Sequence, residues 1–491
     1  VRDWYPFKPS QWKEQGRPII RIQNLNNPNA AFNRCPDHIP DKYLVQNGAL
    51  LFAWSGTPGT SFGAHIWSGE TGWLNQHIFR VDFDDGQLDK KFLRLAININ
   101  LQDYIEQAHG GVGLAHVTKT KFDASSLRLP PLAEQQRIVA KVEEILAHVN
   151  SADARLTKVP AVLKRFRRAV LVAACSGRLT AEWREAQKHI EPVETLYERI
   201  QTLRAERHKK ETATAIREGR RKPNDPRNSE KADKPVIELP ELPSEWGLYT
   251  LQDLSYLITD GTHKTPKYRE RGVAFLSVKN VRPFKILDAD VKRISQEEHE
   301  EINGRCNPEV GDILYTKVGT FGYAAVNRLS YPFSLFVSVA LIKPVQECFT
   351  PEYAGIVLNS DFVYAQAVDR VSGSGVPDLH LLEIRDFRIP LPSVEEQNEI
   401  VRRVRTLFQL ADAVDLRLAE TIRRVDKLTQ SILAKAFRGE LVPTEAELAR
   451  REGREYEPAS VLLERIRRTR AEATDSSAKP RRKSRKVSAH V

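Results

Sequence analysis

A long amphipathic helical pattern occurs twice in this chain, and the repetition constrains the fold more than any other feature. The first copy opens at Glu134–Gln135–Gln136 and the second, 262 residues later, at Glu396–Gln397–Asn398, with no insertion or deletion before both stop at glycine. From Ile138 the apolar stripe steps by alternating four and three residues through Val142, Ile145, Val149, Ala152, Leu156, Val159, Leu163, Phe166, Val170 and Ala173. The same steps from Ile400 meet Val404, Leu407, Ala411, Val414, Leu418, Thr421, Val425, Leu428, Ile432 and Lys435, where Thr421 and Lys435 break the apolar character. A 3.5-residue repeat held over several heptads keeps one seam facing one partner, which is the pattern of a coiled coil. Pro130 and Pro392 sit just before the starts, and Gly177 and Gly439 fall where a left-handed residue would end each helix. About 44 residues at ~1.5 Å rise make a rod of roughly 65 Å. Two such stripes predict an intramolecular antiparallel coiled coil. Pro160 stands where the second copy has Ile422, so the first helix is expected to break there.

The duplication extends beyond the helices. Glu191–Pro192–Val193 to Ile200 is echoed by Glu457–Pro458–Ala459 to Ile466, and Lys8 to Leu25 by Lys264 to Val281. Gly48–Phe52 with Gly56–Thr57 pairs with Gly311–Tyr315 and Gly319–Thr320, and His116 with His380. The offset drifts between 256 and 266, as loop insertions would cause. The expected fold is therefore α+β, with two strand-rich heads separated by two long helices under a pseudo-two-fold internal repeat. Length allows it, since 491 residues support two or three domains with real cores. The second head has a leading segment, Leu242–Pro243–Ser244–Glu245–Trp246, that the first lacks, so further residues are expected ahead of Val1.

Composition narrows the function classes. No apolar stretch approaches the ~18 residues of a membrane span and no signal peptide is readable, so a cytoplasmic location is expected. Cys35, Cys175, Cys306 and Cys348 lack the paired spacing of a zinc site or disulfide framework. A net charge of +11 favours a polyanionic partner. Part of that charge lies in residues 207–235 and in Lys479–Lys486, which read as a basic linker and a disordered arm.

The heads read as short strands between glycine turns: Arg17–Ile22, Ala49–Trp54, Ala274–Lys279, Asp312–Lys317 and Leu335–Lys343. Amide, cationic and hydroxyl side chains crowd the turns, and these types pair with base edges and phosphates. Equivalence under the repeat selects Lys8, Arg21, Gln23, Asn24, Ser55, Thr57 and His116 in the first head, and Lys264, Lys279, Asn280, Lys317, Thr320 and His380 in the second. Catalytic parts are missing. Asn26–Asn27–Pro28–Asn29 lacks the second proline and aromatic ring of a methyltransferase motif, and no Gly-Lys-Ser/Thr phosphate loop occurs. Pro377–Asp378 with Glu383–Ile384–Arg385 places carboxylates too close for separate nuclease strands and carries Arg in place of Lys.

Leu129–Pro130–Pro131–Leu132–Ala133–Glu134–Gln135–Gln136–Arg137–Ile138–Val139, its repeat Ile389–Val401, and Ala434–Leu441 (AKAFRGEL) resemble the helical regions shared by Type I restriction-modification specificity subunits. The resemblance implies a division into a first target recognition domain (1–128), a central conserved helical region (129–206), a basic linker (207–241), a second recognition domain (242–390), a C-terminal helical region (391–473) and a basic disordered tail (474–491). It implies a non-catalytic subunit that recognises a bipartite site in double-stranded DNA and recruits partners. These are two modification subunits, which bind S-adenosylmethionine and methylate adenine, and restriction subunits using ATP and Mg. No cofactor or metal is expected in this chain. Docking is expected at Glu134, Gln135 and Ile138 and at Glu396, Gln397 and Ile400. The alternatives are a specificity partner of a fused restriction-methylation enzyme and, from a different class, a protein-binding coiled-coil scaffold.

Overall fold

The computed structural model describes residues 5–27, 30–36, 38–56, 61–100, 115–116, 119–219, 222, 241–371 and 375–476. Contacts group the chain into two compact units, Val1–Thr157 with Glu420–Val491, and Lys158–Ala419. These units cut across the consecutive division expected from the sequence, because each head holds a share of both long helices. In chain order the helices used below are α1 (Lys90–Ile99), α2 (Leu132–Leu156), α3 (Val159–Cys175), α4 (Val193–Arg217), α5 (Pro351–Leu358), α6 (Asp361–Arg370), α7 (Val394–Arg438), α8 (Glu445–Glu452) and α9 (Ala459–Ser476).

In the first unit β2 (Leu50–Ala53) pairs antiparallel with β3 (Gly63–Ile66) and β5 (Ile78–Arg80), while β1 (Arg17–Ile20) runs parallel to β4 (Gly72–Leu74). The second unit repeats the plan. There β7 (Ile313–Thr316) pairs antiparallel with β8 (Ala324–Val326) and β10 (Val339–Pro344), and β6 (Val273–Leu276) runs parallel to β9 (Phe333–Leu335). All six residues of β10 are buried, the signature of a strand covered on both faces. The run Leu335–Lys343, expected as one strand, is therefore two, split by a turn at Phe336–Ser338.

The long stripes form helices as their pattern demands, and Pro160 has the expected effect. Helix α2 ends at Leu156 and α3 begins at Val159 with Pro160 in its first turn, where a missing N–H costs nothing. In the other copy Ile422 lies inside α7, which is unbroken over 45 residues. Gly177 (φ 73°) and Gly439 (φ 78°) adopt the left-handed conformation at the helix ends. In the second unit α3 and α7 run antiparallel: Arg167 pairs with Asp412 and Asp415 at 2.7 Å, the Leu179 carbonyl accepts from Arg403, and Thr180 bonds Glu396. In the first unit the start of α2 (Ile138, Val139, Val142) shares a cluster with the end of α7 (Leu433, Ala436, Phe437). The seam is uneven. Ile138, Val142, Ile400, Val404, Ala411 and Leu418 are buried, whereas Leu428 is 52% exposed.

One boundary needs correction. Residues 207–217 were expected as linker but continue α4, because Arg207 pairs with Glu211 one turn on and lies over the Tyr256 ring. One turn earlier, buried Arg204 donates to the Ser255 carbonyl. Among the described residues no helix is long and apolar enough to cross a membrane, and all four cysteines are buried and unbridged.

Candidate nucleic-acid interface

In each head the backbone gathers the chosen turns at one end of the sheets. The parallel pair β6–β9 ends at Leu276 and Leu335, after which Phe336 N–H bonds the Leu276 carbonyl. Thr262 N–H bonds the Leu335 carbonyl, which brings the loop carrying His263 and Lys264 to that end. The Ser338 hydroxyl accepts from Val278 N–H and its carbonyl from Lys317 N–H, while Leu379 N–H bonds the Lys317 carbonyl. The turns holding Lys264, Lys279, Lys317–Thr320 and His380 are thereby neighbours. The first head matches: Tyr5 N–H bonds the Leu74 carbonyl, Asn75 N–H the Ile20 carbonyl, Trp54 N–H the His77 carbonyl, and Ser55 pairs with His116.

At that end the side chains sort into two groups. Lys8, Gln23, Lys264, Lys279, Thr320 and His380 are exposed, and Arg21 is half-buried with its guanidinium 5.0 Å from the centre of the Trp12 ring. Asn24 and Asn280 are corrected by the structure, since they are not presented to a groove. Asn24 is fully buried; its Oδ1 accepts from Arg21 N–H and its Nδ2 donates to the Ala30 carbonyl. Asn280, 8% exposed, repeats the arrangement with Ser277 N–H and the Leu287 carbonyl. Each amide spends its capacity holding the turn that follows β1 or β6. Lys317 is also interior, with Nζ 3.6 Å from Asp260 and 3.5 Å from Asp378, and Ser55 is buried on its strand. Thr57 lies outside the described residues, and of His116 the structure describes the backbone pairing.

Replacing Asn24 or Asn280 by Ala is therefore expected to destabilise the head by about 1–3 kcal/mol, because two backbone groups lose their partner. Hydrogen exchange at residues 21–27 and 277–287 measures it. Unchanged protection with an altered DNA preference would return these amides to the bases.

The six expected docking residues are also corrected. Glu134, Gln135, Ile138, Glu396, Gln397 and Ile400 are all under 8% exposed, so they cannot form an outer surface; they fasten each long helix to its own unit. The Gln135 Oε1 accepts from Asp89 N–H, at the cap of α1, and its Nε2 donates to the Pro130 carbonyl. Gln397 does the same with Thr350 N–H, at the cap of α5, and the Pro392 carbonyl, adding the Cys348 carbonyl. The neighbouring carboxylates reach the turn beyond the opposite helix. Glu134 accepts from Glu445 N–H at 2.7 Å. Glu396 accepts from Thr180 Oγ1, Arg184 and Trp246 Nε1. Burial by itself raises the Glu445 carboxyl, but paired Arg137 and Arg454 outweigh it and hold it below the usual carboxylate range.

Sequence reasoning missed Trp12, Trp246 and Arg184. Trp246 was visible in the extra leading segment, but its partner Glu396 is 150 positions away, and no periodicity links them.

The comparisons agree with this architecture. The family described as Type I restriction modification DNA specificity domain matches residues 2–159 and 243–422. The chain is 30% identical over 444 residues to the Type I restriction enzyme EcoBI specificity subunit of Escherichia coli, covering 90% of this chain and 84% of that protein. It is 26% identical over 453 residues to the EcoDI specificity subunit of the same species, covering 88% and 89%. Two solved structures share the fold at 17% identity. One is a chain from work on complex assembly and conformational transition of the type I R-M system (TM-score 0.56; 86% of this chain, 92% of that one). The other is the HsdS subunit from Thermoanaerobacter tengcongensis (TM-score 0.50; 86% and 90%).

Proposed function

The chain belongs to the family of Type I restriction-modification DNA specificity subunits, and from that premise we propose how it reads DNA. Each head reads one half of a bipartite target with the turns gathered at one end of its sheets, and the two long helices set the gap between half-sites. One observation carries this reading: the same segments converge in both heads, while their exposed side chains differ. Gln23 and Lys279 occupy the same place, each immediately before the buried Asn24 or Asn280. A shared frame with unlike side chains suits two readers of unlike sequences. Gln matches the edge of adenine, and Lys matches guanine or phosphate.

Substituting Gln23 or Lys279 by Ala is expected to shift preference at one base pair by ~1–3 kcal/mol if it faces a base. Lys264→Ala should weaken all sequences alike and flatten the salt dependence. Binding titrations on a set of single-base variants test both. Wild-type affinity, preference and salt slope in every variant would refute the assignment.

The chain contributes recognition and no catalytic step. S-adenosylmethionine belongs to the modification subunit, and ATP and Mg to the restriction subunits. Because the Gln135/Gln397 and Glu134/Glu396 fastenings recur under the repeat, outer surfaces they shape recur too, so one chain binds two modification subunits. Native mass spectrometry of the assembled methyltransferase should show that ratio. A saturated complex with a single modification subunit would defeat the symmetric reading. Docking uses surfaces other than the six interior residues.

A further inference from the structure

At one place where matching side-chain clamps fix the correspondence between the two heads, they carry residues of unlike size and polarity. Asn98 clamps both backbone groups of Ala64 on β3 (2.7 and 3.0 Å), and Asn359 clamps Ala324 on β8 in the same way (3.0 and 2.8 Å). These clamps fix the equivalence of neighbouring positions. One residue along the strand, His65 corresponds to Ala325, and four residues back along the helix, Arg94 corresponds to Gly355. Sheet register agrees, since His65 faces Leu51 and Ala325 faces Leu314. In the second head the two small residues close up: Ala325 is fully buried, and a Cβ on Gly355 would lie 3.2 Å from Val326. In the first head the large polar pair borders a cavity of about 220 Å³, which Asn24, Leu25, Trp67 and Ser68 also line.

We infer that this cavity of the first head holds a phosphate of the DNA backbone, with Arg94 as its principal ligand. A guanidinium presents a planar fork of donors that fits phosphate oxygens. The Arg94 Nε is buried with no hydrogen-bond partner, so the side chain that lines the cavity is not committed through that nitrogen to another group of the head. The His65 ring has one nitrogen 3.1 Å from the Ser61 carbonyl, which fixes it as a wall of the cavity. The position suits a flanking phosphate: Asn24 and Leu25 belong to the short helix that also carries exposed Gln23, so the cavity adjoins the turn assigned to base reading. The inference rests on the DNA-reading role proposed above and assigns it an asymmetry, a phosphate clamp in one head alone of this equivalent pair of positions.

The test measures binding of the full chain to its target duplex and to a duplex with a scrambled first half-site, over a series of salt concentrations. Arg94→Ala should weaken both by the same factor and reduce the salt slope by about 0.9, the value for one phosphate contact. Arg94→Lys should keep the slope while losing affinity. Inorganic phosphate should raise hydrogen-exchange protection at residues 63–68 and 90–98 more in the wild type than in Arg94→Ala, and wild-type protection of Arg94→Ala at residues 50–53 and 78–80 shows that the variant folds. A wild-type slope in Arg94→Ala overturns the inference while leaving the DNA-reading role intact, even where inorganic phosphate stabilises the wild type, since the cavity would then take free anions alone. A wild-type chain without salt-dependent DNA binding overturns both.

Discussion

Inserting one heptad after Leu156 and another after Leu418 is expected to widen the gap of the recognised site and leave both half-sites unchanged. Leu156 closes α2 and Leu418 lies within α7, at the equivalent place under the 262-residue repeat. In an antiparallel pair whose contacts run from Arg167 with Asp412 to Thr180 with Glu396, the two insertions extend both helices together. They also keep the seam in phase, because seven residues is the repeat of the stripe. Seven residues add roughly 10 Å of helix, which corresponds to about 3 base pairs at 3.4 Å each. The insertions avoid the fastenings at Gln135, Gln397, Glu134 and Glu396, so the heads keep their frames. Mapping methylated adenines in cells carrying wild-type or extended chains gives the answer directly. The same half-sites at a longer constant gap are expected. An altered half-site with the old gap would show that the helices do not measure the site.

The helices were legible because their signal is local and repeated: a stripe of fixed period, a proline in one copy, a glycine at each end. Pro160 could be assigned a break because Ile422 supplied an internal control. The head frames were legible as strands and turns, although β9 and β10 merged in the sequence because Phe336–Ser338 interrupts the apolar run with no glycine or proline. Exposure was not legible. Glu134–Gln135 and Glu396–Gln397 have the composition of a surface patch on a first helical turn. They are buried because the groups they satisfy, such as Asp89 N–H, Thr350 N–H and Trp246 Nε1, arrive from remote parts of the chain. Asn24 and Asn280 failed for a related reason, since a capping amide and a base-reading amide share one chemistry and differ in what faces them.

That difference between surface and interior has its largest consequence at Glu396. Its carboxylate is fully buried and accepts from Thr180 Oγ1 at 2.6 Å, Arg184 Nη2 at 2.7 Å and Trp246 Nε1 at 2.9 Å. Arg184, with 11% of its side chain exposed, has this carboxylate as its charge partner. Glu396→Ala would leave the Arg184 guanidinium without a countercharge, held by the Gly177 carbonyl, and the Trp246 indole N–H buried without an acceptor, which costs about 3–5 kcal/mol. The equivalent Glu134→Ala removes one acceptor from the Glu445 N–H, where Arg137 and Arg454 stay paired with the Glu445 carboxylate. A loss of about 1–2 kcal/mol is expected there, the scale of a helix cap. Glu396→Gln should fall between, since it retains an acceptor oxygen while leaving Arg184 without a countercharge. A chain of two units does not unfold in a single step, so the readout is regional: hydrogen-exchange protection at residues 178–186 and 394–404 for Glu396, and at 132–142 and 444–449 for Glu134. Protection lost equally in both variants would show that the symmetry of the repeat, and not the buried charge, sets the strength of these fastenings.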